Sequence, residues 1–326
     1  MGRKSHLPIG SRWTNFEAID CLKKMDDMSD RQAAPAAALP ASDPKALLNA
    51  VLAASAGTED ARLREVLDAL IRHLHPFALD IDLRPDELDR GLDFLVRVGQ
   101  ATGPKKHEGI LLADILGLST LVALRNARHA IEAGGTEPAL IGPFWRAQQP
   151  LREHGENIAS SDTPGRRLTV SGRVLSLDGK PIAGARVETW QASPKGLYEN
   201  QDASQPDMNL RGRFETDRDG RFRFVSVRPA GYPVPVDGPC GELLATQGRH
   251  SMRPAHLHFL VIAEGYKVLA TQFFDADDPH AFDDAVFGVV GSLLRRFEPD
   301  GAGADKLDLE LRLEPGATSV PSCPLP

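Results

Sequence analysis

The stretch VSGRVLSLDGKPIAGARVETWQA, residues 170–192, decides the fold of the C-terminal half of the chain. Its apolar residues fall in short runs on either side of Asp178-Gly179, a pair that is typical of the tight turn of a β-hairpin. Further short apolar runs follow, among them His256 to Ile262 and Val268 to Phe274. Strands of this length, separated by turns rich in Gly and Pro, predict an all-β sandwich.

The chain that precedes these strands has the periodicity of helices. One apolar face recurs at helical spacing and comprises Leu63, Val66, Leu67, Leu70, Ile71 and Leu74. Ser42-Asp43-Pro44 is a helix start signal, because a capping side chain precedes a Pro in the first turn. Pro85 opens another helix. A third helix is expected from about Glu108 to Ala133, and its nearly all-round apolar surface predicts that it is buried.

These patterns together predict the α+β class, with three segments in order. Residues 1–41 include an Ala- and Pro-rich stretch and are expected to form a flexible N-terminal tail. Residues 42–162 are expected to form the helical region, and residues 163–326 the all-β sandwich.

The composition excludes several classes of protein. A net charge of -7 at pH 7 argues against a nucleic-acid partner. Cys21, Cys240 and Cys323 form neither a zinc pattern nor a disulfide framework, so the cytoplasm is the expected compartment. No apolar run approaches the roughly 18 residues of a membrane span. The N-terminus is basic but lacks the apolar segment of a secretory signal.

The residues with the most evident chemistry lie in the second half. His256 and His258 are two residues apart in a predicted strand, so both imidazoles point to one face and can bind one metal ion. His73-Leu74-His75 has the same spacing on a predicted helix, where such residues do not face each other. Tyr198 and Tyr232 lie in loops rich in Gly and Pro. Each pair taken alone also fits hydrogen-bonded histidines or packed tyrosine rings.

Taken together, these segments resemble the intradiol dioxygenases. The first predicted strands, GLYEN at 196–200, GYPVP at 231–235, RPAHLHF at 253–259 and Gln272 occur in the order of that family. The resemblance extends into the helical region and covers roughly residues 45–315. It implies a catalytic sandwich and a helical region that forms a homodimer, with a phospholipid bound at the dimer interface.

The same resemblance implies a non-haem Fe(III) cofactor, a small aromatic diol or triol as substrate, and O2. The implied iron ligands are Tyr198, Tyr232, His256 and His258. By the same resemblance, Tyr232 is also expected to be the ligand that the substrate displaces. Arg253 is expected to stabilise negative charge on the substrate ring, and Gln272 to orient hydrogen bonds. Two phenolates and a hydroxide balance the three charges of a ferric ion. Tyr266 matches no ligand position.

The predicted pocket resembles that of the hydroxyquinol-cleaving branch of the family. Its implied residues are Leu111, Asp114, Leu140, Ile141, Gly142, Pro143, Phe144, Pro233, Val234 and Val286. Asp114 stands where enzymes for plain catechol tend to have Pro. A buried Asp needs a polar partner, and the third hydroxyl of 1,2,4-trihydroxybenzene would supply one. The other interpretation of Asp114 is a surface carboxylate or a salt bridge to Arg125.

Two alternatives stay open at this point. The first is the same ring cleavage on catechol or chlorocatechol, which relative activity on these substrates would distinguish. The second is a metal-free, transthyretin-like or carboxypeptidase-regulatory-like binding sandwich, because GRVLSLDGKPIAGARV is common in such modules. A tyrosinate-bound ferric protein is red-brown, whereas a binding module is colourless.

Overall fold

The computed structural model describes residues 43–103 and 106–321. The predicted N-terminal tail, residues 1–41, lies outside the described residues, as do Cys21 and Cys323. The described chain forms two compact units, one that ends at Leu88 and one that begins at Asp89. The predicted division of the chain at residue 163 stays a prediction.

Helices α1 (Pro44–Ala54) and α2 (Ala61–Asp80) lie in the first unit, joined by the short 3-10 helix Ser55–Gly57. The side chain of Asp43 caps α1 by accepting from the Lys45 amide at 2.9 Å, and Pro44 follows in the first turn. Asp60 caps α2 in the same way. Helix α3 (Pro85–Ala101) begins at Pro85, as the sequence predicts, and crosses the boundary between the units.

The second unit holds α4 (Glu108–Ile115), α5 (Leu118–Glu132) and α6 (Pro239–Thr246). The prediction of one buried helix over Glu108 to Ala133 was wrong. Gly117 adopts a φ of 72°, which is open to glycine, and α4 and α5 meet there at a bend of 72°. Their apolar surface is also exposed in the single chain, with Leu121 at 62%. Among the described residues no single helix is long and apolar enough to cross a membrane, although α4 and α5 pass that test as a bent pair.

The second unit also contains two large sheets. The strands are β1 (Arg167–Ser176), β2 (Arg186–Gln191), β3 (Arg211–Glu215), β4 (Arg221–Val227), β5 (Tyr232–Pro233), β6 (Met252–Arg253), β7 (His256–Ile262), β8 (Leu269–Asp275), β9 (Leu294–Arg295), β10 (Glu298–Pro299) and β11 (Asp305–Leu313). One sheet has the order β10-β11-β1-β4, the other β3-β2-β7-β8-β9, and β5 pairs with β6. A 3-10 helix, Gly291–Leu293, precedes β9.

The main core lies between the two large sheets. Val170 and Phe224 from the first sheet and Leu257 and Phe273 from the second are buried in one apolar cluster. This arrangement confirms the predicted fold class, a helical N-terminal region followed by a β-sandwich.

The predicted hairpin at Asp178-Gly179 was only half correct. The tight turn is present, with Ser176 N donating to Lys180 O at 2.9 Å and Ile182 N to Val174 O at 3.0 Å. However, β1 and β2 belong to different sheets. Pro181 has no amide hydrogen for a longer ladder, and Ile182 and Ala185 are buried in the core between the sheets. After this single turn the chain therefore passes from the first sheet to the second, on the other side of the core.

Candidate metal centre and substrate pocket

Strand β7 separates the core from the candidate site. Leu257 and Phe259 point into the core cluster, while His256 and His258 lie on the opposite face of the strand. The sheet register places Trp190 and Gln272 on either side of His258. The His258 ring stacks on Trp190 with 4.7 Å between centroids and 9° between planes. The sheet thus fixes the direction of His258 by packing on both sides.

The two tyrosines reach the same face from separate loops. Strands β5 and β6 pair Tyr232 with Arg253, so these two side chains emerge beside each other. Tyr198 follows a tight turn in which Ser193 N donates to Leu197 O at 2.9 Å. Its ring stacks on Phe144 at 4.4 Å. Both tyrosine rings are buried.

The polar atoms of these four side chains form a closed ring. The Tyr198 and Tyr232 hydroxyls are 3.4 Å apart, and the Tyr232 hydroxyl is 3.5 Å from His256 Nε2. The His256 and His258 Nε2 atoms are 3.2 Å apart, and His258 Nε2 is 3.1 Å from the Tyr198 hydroxyl. The structure therefore brings together all four residues that the sequence singled out, whereas Tyr266 packs elsewhere against the core.

The hydrogen bonds and burial of the histidines suit a metal ligand. His256 Nδ1 donates to Pro254 O at 2.7 Å, which leaves a lone pair on Nε2. Burial lowers the pKa of both imidazoles well below the ordinary value, with Arg253 adding to the effect at His256 and His256 itself adding to it at His258. Both rings are therefore neutral at pH 7, the form that binds a metal.

The ring has the dimensions and the donor atoms of a site for a single metal ion. Atoms that bind one ion at about 2.0–2.2 Å lie roughly 3 Å from one another, which matches the four separations in the ring. Burial and the neighbouring Tyr232 raise the pKa of the Tyr198 hydroxyl well above its ordinary value, so it stays protonated unless a cation is adjacent. A bound cation reverses this preference. Two phenols and two imidazoles are thus a donor set suited to a cation.

Arg253 lies beside the ring and is also buried. Its Nη1 is 3.4 Å from His256 Nε2, and its Nη2 donates to Gln272 Oε1 at 3.0 Å. Gln272 Nε2 in turn donates to the carbonyl oxygen of Leu140. The Arg253 guanidinium also forms a two-point ion pair with Asp284. Arg253 and Gln272, two of the three predicted catalytic residues, are therefore in contact with each other and with the pocket wall.

A pocket of about 800 Å³, counting its open mouth, lies against Tyr232 and Arg253. Nine of the ten predicted pocket residues line it, namely Leu111, Asp114, Leu140, Gly142, Pro143, Phe144, Pro233, Val234 and Val286. Ile141 does not line this pocket. It packs against the apolar cluster that contains Trp190 and Tyr198. Gly142, with a φ of 72°, turns the backbone there, and a Cβ at that position would lie 3.2 Å from Cε1 of His258.

Asp114 is partly buried at the pocket wall. Burial raises the pKa of its carboxyl above the ordinary value, opposed by a hydrogen bond from Ser119 and by the charge of Arg253. No salt bridge to Arg125 is found for it among the described residues. Its position thus fits the predicted contact with a substrate hydroxyl better than a surface ion pair.

Several pocket residues escaped the sequence reasoning. The pocket is also lined by Lys106, His107, Glu108, Ile110, Gln201 and Pro235. Behind the wall, Arg211 donates to Phe144 O at 2.6 Å and to Glu199 at 2.8 Å, and Arg146 also donates to Glu199. The position of Glu199 directly after Tyr198 was the available signal. Its partners could be identified only from the fold.

Another cluster of metal-binding residue types lies nearer the surface, formed by His250, His280 and Asp283. His250 Nε2 is 3.1 Å from Asp283 Oδ2, and His280 Nδ1 is 3.0 Å from Asp283 Oδ1. His250 Nδ1 accepts from the Met252 amide at 3.1 Å, so the proton of the neutral ring is on Nε2. That nitrogen therefore donates to Asp283 and has no lone pair for a metal.

Two family models match the chain. Residues 140–313 match the model described as Dioxygenase, and residues 60–134 match the model described as Catechol dioxygenase N terminus. The first match includes both tyrosines and both histidines of the ring. The second includes α2 to α5.

Similar proteins have names that agree with these matches. A hydroxyquinol 1,2-dioxygenase from Rhizobium sp. (strain MTP-10005) is 44% identical over 249 residues, which are 76% of this chain and 83% of that protein. A catechol 1,2-dioxygenase from Candida albicans is 38% identical over 240 residues, 73% of this chain and 78% of that protein. The solved structure of a hydroxyquinol 1,2-dioxygenase from Pseudomonas putida DLL-E4 has a TM-score of 0.78 at 38% identity, covering 84% of this chain and 99% of that one.

Proposed function

This chain belongs to the intradiol dioxygenase family, and we propose that its substrate is hydroxyquinol, 1,2,4-trihydroxybenzene. The enzyme opens the ring with O2 between two adjacent hydroxyl-bearing carbons. The expected product is 3-hydroxy-cis,cis-muconate, the tautomer of maleylacetate. The observation that carries the proposal is the ring formed by Tyr198, Tyr232, His256 and His258, next to a pocket that contains a carboxylate.

The proposed cofactor is one Fe(III) ion held by the two tyrosines and the two histidines. When bound, a ferric ion supplies Lewis acidity that favours deprotonation of the catechol hydroxyls and activates the ring towards O2. The closed ring of donor atoms, 3.1 to 3.5 Å apart, supports this assignment.

Tyr232 is proposed to move a proton as the substrate binds. Of the two tyrosines, Tyr232 lines the pocket and Tyr198 does not. Tyr232 is therefore the one that an entering substrate can displace. Its released phenolate oxygen then accepts a proton from a substrate hydroxyl. Tyr198, packed against Phe144, stays in place.

Arg253 is proposed to stabilise negative charge that develops on the aromatic ring of the substrate. Its guanidinium is buried beside both Tyr232 and the pocket, in surroundings where an oriented charge acts strongly. Gln272 fixes one side of this guanidinium and ties it to the wall at Leu140. The substrate thus meets a cation that is already oriented.

Asp114 is proposed to accept a hydrogen bond from the third hydroxyl of hydroxyquinol. The rest of the predicted wall is apolar apart from backbone groups, so an unsubstituted ring would leave this carboxylate without a partner in the substrate. The alternative substrate is catechol or a chlorocatechol, favoured by the apolar residues Leu111, Val234 and Val286. Membership of the dioxygenase family supports an enzyme rather than the alternative binding module.

A homodimer through the helical region is also proposed. Helix α2 has 20 residues and none of them is buried in the single chain. Leu70, Leu74 and Phe77 on its apolar face are each more than half exposed. An exposed apolar face of this kind marks an interaction site, and a second copy of the chain would bury it. The resemblance also implies a phospholipid at the interface. The cytoplasm is the proposed compartment, supported by the unpaired, buried Cys240.

A panel of hydroxyquinol, catechol and 4-chlorocatechol tests the proposed function. Oxygen uptake and product identification should show ring-opened dicarboxylates, with the highest kcat/KM on hydroxyquinol. A higher kcat/KM on catechol would select the alternative substrate. Absence of ring cleavage on all three by iron-loaded protein would contradict the proposal.

A further inference from the structure

Asp284 is a buried carboxylate that the reaction outlined above does not use. It accepts from Arg253 Nε and from Arg253 Nη2, each at 3.2 Å. It also accepts from the backbone amides of Val286, at 3.3 Å, and Gly288, at 3.0 Å. Four donors thus surround one carboxylate whose side chain is only 2% exposed.

The backbone that follows Asp284 closes around the Arg253 guanidinium. A Cβ on Gly288 would lie 2.7 Å from Arg253 Nη2 and 3.1 Å from Asp284 Oδ2. There is consequently no room for a side chain at residue 288 while the ion pair keeps this geometry. The segment 284–288 also carries Val286, a residue of the pocket wall.

These contacts leave Arg253 one orientation. Asp284 engages Nε and Nη2, and Gln272 accepts from Nη2 on the other side. The remaining nitrogen, Nη1, faces the metal centre, 3.4 Å from His256 Nε2. A two-point pair with a planar guanidinium fixes its plane as well as its position.

We propose that Asp284 is a positioning residue of the reaction: it holds the Arg253 guanidinium in the plane that directs Nη1 at the substrate ring. This inference rests on the proposed function. It assigns to Asp284 an effect on the chemical step and none on iron binding, because Asp284 touches no member of the Tyr198, Tyr232, His256 and His258 ring. An amide at this position is a poor substitute, since its N–H₂ group would face donors.

The test compares Asp284→Asn with Asp283→Asn in the iron-loaded protein. Asp283 is the neighbouring carboxylate, it pairs with His250 and His280 near the surface, and its substitution changes the charge equally. We expect kcat for Asp284→Asn to fall about 10- to 100-fold, as for partners that orient active-site groups. KM should change less than about threefold, because the interaction acts in the transition state. Iron content should be unchanged in both variants, and Asp283→Asn should keep wild-type kcat.

A double-variant cycle shows whether Asp284 acts through Arg253. If it does, the combination of Arg253→Gln and Asp284→Asn has the same kcat as Arg253→Gln alone. Effects that multiply would overturn the inference, as would wild-type kcat in Asp284→Asn. Wild-type protein that cleaves no substrate of the panel would instead overturn the proposed function, and the inference with it.

Gly288→Ala keeps the inference testable if Asp284→Asn does not fold. Its Cβ would meet the end of the Arg253 side chain, which can shift without moving the backbone. We expect iron content to stay near wild type while kcat falls about tenfold or more. Wild-type kcat in Gly288→Ala would overturn the inference.

Discussion

The Tyr198 hydroxyl lies 3.1 Å from the Nε2 of His258, although 60 residues separate them in the chain. His258 is held by its strand and by the face of Trp190, and Tyr198 by its loop and by Phe144. The contact therefore joins two independently packed side chains, as a site that is built before its metal binds would require.

Removing the side chain of one of the proposed iron ligands should weaken iron binding. Tyr198→Phe, His256→Ala and His258→Ala each delete one donor atom, and we expect at least a hundredfold weaker binding, since changing the outer partners of metal ligands already costs about 10–100-fold. Iron content after dialysis against a chelator measures this. Tyr266→Phe is the control, because Tyr266 packs against the core, and it should keep both iron and activity. Full iron retention by all three ring variants would refute the ligand assignment.

Asp114→Ala should change substrate preference more than overall rate. A hydrogen bond to a charged group is worth about 1.5–3 kcal/mol, so kcat/KM for hydroxyquinol should fall roughly ten- to a hundredfold. The value for catechol should change little, because catechol has no hydroxyl to pair with Asp114. Asp114→Asn keeps an acceptor oxygen, so its kcat/KM for hydroxyquinol should lie between the values of the wild type and the Ala variant. If kcat/KM fell by the same factor for both substrates in the Ala variant, Asp114 would have only a structural role.

The metal-free protein should lose stability as the pH falls. Burial holds the pKa of His256 and His258 well below 6.5 in the folded state, so the unfolded chain binds these two protons first. The free energy of unfolding is then highest above about pH 7 and falls below the unfolded pKa of about 6.5, by up to about 1.4 kcal/mol per pH unit for each histidine. Urea unfolding at several pH values measures the slope. Replacing both histidines with Gln should flatten it; an unchanged slope would exclude them as its source.

The apolar face of α2 should hold two copies together. Leu70→Glu combined with Leu74→Glu places charge on that face, and we expect dissociation into monomers or loss of soluble protein. Sedimentation velocity at micromolar concentration measures the mass. Arg72→Glu, on an exposed position of the same helix, should leave the dimer intact. A monomeric wild-type protein under these conditions would contradict the proposed assembly.

Local patterns in the sequence were enough to predict the fold class and the elements that carry the site. The strand period places His256 and His258 on one face, and Pro44 and Pro85 mark helix starts correctly. The roles of the ring residues as ligands stay predictions. The pairing of β1 and β2 with other strands was not predictable, because a tight turn fixes local geometry and not the sheet that a strand joins.

Contacts between residues that are distant in the chain could also not be predicted from local sequence patterns. Asp284 is 31 residues from Arg253, and no periodicity connects an acidic residue in a loop with an arginine in a two-residue strand. Ile141 lies between two pocket residues in sequence, yet the turn at Gly142 directs it into the cluster behind the wall. The bend at Gly117 was missed because the apolar pattern continues across it.

The visible absorption spectrum of the iron-loaded protein is the sharpest test of a ferric site with two tyrosine ligands. If the proposed ligands are correct, the protein will be red-brown, with one iron per chain and a broad band from tyrosinate to Fe(III) charge transfer. If hydroxyquinol displaces Tyr232 as proposed, adding it without O2 should shift this band. O2 should then restore the resting band with release of the ring-opened product. A protein that binds iron without a charge-transfer band, or whose band does not respond to hydroxyquinol, would contradict the proposed tyrosinate ligands and substrate.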